Sequence, residues 1–115
     1  MKIEIPKIVR PLDLGEYDEA LRGQRVYVWV NPTREVMRAY ARLRDEGKDE
    51  QADQIKLDEQ LRDWFAKLWS HGPADTSWTA DELLEIAETD PAFAGWLILQ
   101  TWQMIGSHSA HQKKA

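Results

Sequence analysis

The chain contains no cysteine. Disulfides, thiolate metal sites and cysteine nucleophiles are thereby excluded, and a reducing, cytoplasmic setting is the expectation. Glycine is sparse: Gly15, Gly23, Gly47, Gly72, Gly95 and Gly106 are scattered and build no phosphate-binding loop. Basic residues are outnumbered by acidic ones, 15 to 20, leaving a formal net charge of −5. No Lys/Arg cluster offsets that balance, so neither nucleic acid nor an anionic membrane is an expected partner. The opening MKIEIPKIVRP has no apolar run of signal-peptide length, and its prolines would interrupt one.

What is abundant is tryptophan, six in 115 residues. Each can bury on the order of 200 Å² and dominate local packing. With 43% hydrophobic and 30% charged residues, the composition is that of one folded domain. The expected fold class is mainly α, about four helices with a short N-terminal β-strand or hairpin segment. Residues 1–106 form the expected domain and 107–115 a flexible polar tail.

Residues 2–10 alternate Ile3 and Ile5 with charge until Pro6, which predicts an extended arm, an edge strand at best. Residues 11–24 read as a loop with a helical turn around Tyr17. The clearest strand is Arg25–Val30, with Val26, Val28 and Val30 on one face and Tyr27 and Trp29 on the other. Apolar on both faces, it needs cover or a partner, and an edge position would open it to strand addition. Asn31-Pro32 then predicts the cap and first residue of a helix over 32–46. A second helix is expected over 49–70, its polar first half exposed and Leu57, Leu61, Trp64 and Leu68 forming a stripe widened by Phe65 and Trp69.

After a loop carrying Trp78, Thr79 and Glu82 make a capping box for a short helix over 80–88, with Leu83, Leu84 and Ala87 inward. Asp90-Pro91 starts the last helix, expected to end at Gly106. From Pro91 to Gly106 it carries no charge, and a helix apolar nearly all round must be buried nearly all round. Two readings stay open: a central core helix, or one with a face reserved for a partner or second subunit. Gly95 inside it implies close approach of another helix.

No residue grouping predicts chemistry. Asp58/Arg62 and Glu59/Asp63 lie one turn apart on a solvated face. His108 and His111 sit in the expected tail without a carboxylate beside them, and His71 is explained by the negative end of the second helix. The chain therefore reads as non-enzymatic, with no cofactor and no metal.

The segments GQRVYVWVNPTREVMRAY and WFAKLWSHGPADTSWTADELLEIAETDPAFAGWLILQTWQMI together resemble small phage tail-assembly chaperones. The resemblance spans roughly residues 23 to 105 and rests on the order of elements: β-containing start, tryptophan-bearing helix end, loop, capped short helix, apolar last helix. The polar start of the second helix departs from it. It implies a non-enzymatic cytoplasmic protein of a bacterial host that coats the helical tape-measure protein and self-associates. The candidate contact residues come from the apolar pattern: Trp64, Trp69, Trp96 and Trp102 as an aromatic groove, with Ile98 and Ile105 on the last helix and Trp29 and Tyr27 on the strand. The alternative is a structural virion or adaptor protein assembling through that strand.

Overall fold

The computed structural model describes residues 3–73 and 77–114, the last four as helical backbone only. Four helices and a three-stranded antiparallel sheet make a mainly α fold with an N-terminal hairpin. The sheet order is β1 (Val9–Asp13), β2 (Arg25–Trp29), β3 (Trp69–Ser70). The helices are α1 (Arg34–Glu46), α2 (Gln54–Ala66), α3 (Ala80–Thr89) and α4 (Pro91–Lys114).

The hairpin forms where a loop was expected. β1 takes in Pro11, which pairs with Tyr27. Hydrogen bonds from Val30 N to Ile8 O and from Leu14 N to Gln24 O fix the phase of the ladder. By antiparallel alternation, residues 9, 11 and 13 then turn their main-chain groups to the outer edge. Proline occupies the one strand position type it can, since its missing N–H faces away from β2. Two 3₁₀ turns, Leu14–Glu16 and Glu19–Leu21, fill the connection, capped by the Asp13 and Asp18 carboxylates. At Gly15 a Cβ would stand 2.9 Å from the Arg22 Cα, and Gly23 has φ +90, so both places of the turn require glycine.

β2 is the central strand, not an edge. Val26, Val28 and Val30 are at most 1% exposed, as their alternation predicted. β3 corrects the second helix: α2 stops at Ala66, and Leu68 O accepts from Trp29 N at 2.7 Å. The free side of β2 needed main-chain partners, and continuing the helix would have left it none. At its other end α2 begins at Gln54, capped by Asp53, so most of the polar run stays in turns. The first helix also starts later than expected, with Thr33 as cap. Asn31 is used elsewhere: its Oδ1 accepts from Ile8 N and Trp29 Nε1, and its Nδ2 donates to Pro6 O. One side chain thus moors the N-terminal arm to β2.

The capping box of α3 forms as read, Glu82 N donating to Thr79 Oγ1 and Thr79 N to Glu82 Oε1. Leu83 and Ile86 supply its core contacts, while Leu84 and Ala87 are only half-buried. α4 does not stop at Gly106. It runs to Lys114, so the segment expected to be a tail is helical through that residue. A glycine costs about 1 kcal/mol inside a helix, which does not end one already propagating with polar helix-tolerant residues beyond it. α3 packs on α2 and α4, α1 on α2, and α4 crosses β2. The core lies where these meet, around Trp69, Leu68, Leu97 and the three valines.

Candidate functional site

Indole N–H groups organise the covered side of α4. Trp69 is fully buried, and its Nε1 donates to Thr101 Oγ1 at 2.9 Å. Thr101 in turn donates to the Leu97 carbonyl at 2.7 Å. This chain satisfies two polar groups within the core, where an unmade bond would be expensive. Trp64, 4% exposed, donates to Val36 O and joins α2 to α1. Trp102 stacks on Trp64 with centroids 5.7 Å apart, and Tyr40 packs edge-on to Trp102 at 4.9 Å. Offset and edge-to-face contacts of this kind add to plain area burial.

The four tryptophans therefore do not line one exposed groove. Trp64 and Trp69 belong to the core, and Trp102 is half-buried against Trp64 and Tyr40. Trp96 is in a separate cluster near the start of the helix, 5.4 Å from Tyr17 and 6.0 Å from Phe93. Tyr17 donates its hydroxyl to the Asp90 carboxylate, which also caps α4 through Phe93 N. Partial burial, followed by the nearby Asp90 acceptor and its charge, raises the Tyr17 pKa above 10.0. Ile98 and Ile105 are half-buried and packed against the core. On the sheet, Trp29 is held by Asn31 and carries the Lys7 ammonium 4.9 Å over its ring; Tyr27 is half-buried beside Pro11.

What remains free on α4, among the described residues, is a stripe of mostly small side chains. Ala92, Gly95, Leu99, Gln103, Gly106 and Ala110 are all exposed and, at 3.6 residues per turn, follow one side of the helix. Leu99 keeps 54% of its surface accessible. A Cβ at Gly95 or Gly106 would meet nothing within 4 Å, so among the described residues no element makes the close approach expected at Gly95. From Pro91 to Gln112 the sequence has no Asp, Glu, Lys or Arg. The stripe is legible in the sequence as spacing, but its small residues carry far less apolar area than the tryptophans beside them.

Chemistry has little to work with elsewhere. His71 leaves the expected helix end, stacks on Trp78 and lies 2.7 Å from the Glu82 carboxylate. That contact, then the Thr79 backbone N–H, lowers the Glu82 pKa below 4.5. Asp58, Glu59 and Asp63 are exposed. Among the described residues, no three His, Cys, Asp or Glu side chains gather as a metal site, and no helix is long and apolar enough to cross a membrane. Comparison with protein-family models, with curated proteins and with solved structures returns no match.

Proposed function

We propose that the protein is a non-enzymatic binding protein whose bare α4 face takes a helical segment of a protein partner. The observation that carries this reading is the uncharged stripe around Leu99, 54% exposed on a chain that is otherwise rich in charge. Glycines at both ends of the stripe let another backbone come close, and helix axes pack at about 8–10 Å when side chains permit. A neutral face selects a partner by shape and apolar contact, which suits a long, repetitive helix. The resemblance to phage tail-assembly chaperones names such a partner, the tape-measure protein, and a bacterial cytoplasm as the setting.

Assembly through β2 is the weaker reading. That strand has a neighbour on each side, and the outer edge of β1 lacks a donor at Pro11.

The test is co-expression with the tape-measure protein from the same gene cluster. A co-purifying complex that Leu99→Glu abolishes, with the circular dichroism of the free protein unchanged, supports the reading. A complex indifferent to Leu99→Glu rejects the α4 face, and failure of the wild-type pair to associate rejects the chaperone role.

A further inference from the structure

The contact row on α4 is neutral, but the charge around it is unevenly spread. Trp96 lies four residues after Ala92 and three before Leu99, so it borders the first half of the row. Tyr17 packs on Trp96 with centroids 5.4 Å apart and donates to Asp90. Those contacts bring the connection between β1 and β2 to the start of α4. Glu16 and Asp18 flank Tyr17 and are exposed, as is Glu88 in the last turn of α3. The bases nearest in sequence are offset: Arg22 pairs with Glu19 at 2.8 Å, and Arg25 stands opposite Asp13 in the ladder. α3 adds none, since the sequence has no Lys or Arg between Lys67 and Lys113. With Asp90, these carboxylates make the start of α4 strongly acidic.

The second half of the row has the opposite surroundings. Exposed Arg10 lines a groove with Gln103 and Ser107. On the other flank Thr33 and Met37 share a groove with Ile105 and Ser109. The start of α1, with exposed Arg34 and Arg38, is thereby brought alongside. Glu4 and Glu35 are the neighbouring acids. After Asp90 the sequence has no further Asp or Glu, and α4 closes on Lys113 and Lys114. Bases outnumber acids here, in a chain whose net charge is −5.

We propose that this polarity sets the direction in which a helix docks on α4, the basic end of the partner lying over Ala92 and its acidic end over Gly106. The proposal rests on α4 being the docking face. It also names the kind of partner: a helix with an uncharged contact row, Asp or Glu in its first turns and Lys or Arg in its last. That arrangement is the one a helix's own dipole favours, and it docks antiparallel to α4. A single exposed ion pair is worth little. Here charges of one sign act together at each end, and a helix laid the wrong way meets like charge at both, which is a penalty as well as a lost attraction.

The probes are two synthetic peptides of about 20 residues, roughly 30 Å long as helices, with one Ala/Leu contact row. The first has Glu in its opening turns and Lys in its closing turns; the second has these charges exchanged. Each is made with a nitroxide at its C-terminal end and added to the full ¹⁵N-labelled chain at about 10 mM salt. The first should broaden the amides of Glu88 to Gly95, and the second those of Gly106 to Ala110, each with about a tenfold preference over the reverse direction. At about 1 M salt, where the Debye length falls to about 3 Å, the preference should largely vanish. Glu16→Lys/Glu88→Lys, at two exposed positions that cap no helix, should reduce it at low salt. If that variant perturbs the fold, the two peptides on the wild-type chain still decide. Binding of neither peptide, or binding indifferent to Leu99→Glu, overturns the docking face and the proposal with it. Binding in one direction whatever the peptide charges, or in both directions equally, overturns the proposal and leaves the face standing. A dimer of the chain that excludes both peptides gives the face to a second copy and likewise overturns it.

Discussion

On one side of α4, Leu97 and Thr101 have no solvent exposure; on the other, Leu99 keeps more than half of its surface. The two leucines are two residues apart and chemically identical. What separates them is angular position, since two residues carry the chain more than halfway around a helix. Leu97 lies in the core cluster with Trp69 and the β2 valines, whereas Leu99 points where no described element arrives. The first position is answerable to the fold and the second is available for something else.

Truncating each leucine breaks the comparison most directly. Leu97→Ala should cost about 2–5 kcal/mol, the range for opening a cavity in a packed core. Leu99→Ala should change stability by no more than about 0.5 kcal/mol, both read by urea denaturation. Equal losses would mean that Leu99 is covered in solution. Next in size is Thr101→Val, which preserves shape but strands the Trp69 indole N–H. A loss of about 1–3 kcal/mol is expected for an unsatisfied buried donor.

Gly95→Ala sharpens the contrast in the other direction. With no atom of the described residues within 4 Å of the added Cβ, alanine should stabilise the free protein by about 0.5–1 kcal/mol. The same change should weaken partner binding, because it fills the place of close approach. A thermal melt beside a binding assay reads both signs.

The smallest expected effect is acid dependence at the capped start of α3. The folded pKa of Glu82 lies below its ordinary value of 4.5, chiefly through His71 and then the Thr79 N–H. Glu82 therefore contributes stability that is fully present above that value and is lost as pH falls through the folded pKa. Glu82→Gln should lower stability at neutral pH and flatten the stability–pH curve below about 4.5. An unchanged acid limb would assign that limb to other carboxylates.

Several elements were readable because their causes are local. The Thr79–Glu82 capping box, the valine alternation of β2 and the Asp90-Pro91 start of α4 each depend on neighbours within a few positions. The errors fell where a distant partner decided. Trp69 continues a helical stripe in the sequence, yet it lies in β3 because β2 offered main-chain groups needing partners. Asn31 has a cap's chemistry, but the arm and Trp29 claim its amide. The candidate site was half legible. Helix four stood out as uncharged, while its exposed stripe was hidden among larger residues that proved to be core.

The sequence by itself determined a helical chain with one strongly β-forming segment, its caps, its acidity and an apolar last helix, since propensity, periodicity and charge act over short spans. Only the tertiary structure decided which apolar residues became core and which were left over. Burial depends on what arrives from elsewhere in the chain: β2, α2 and α3 reach one side of α4, and no described element reaches the other.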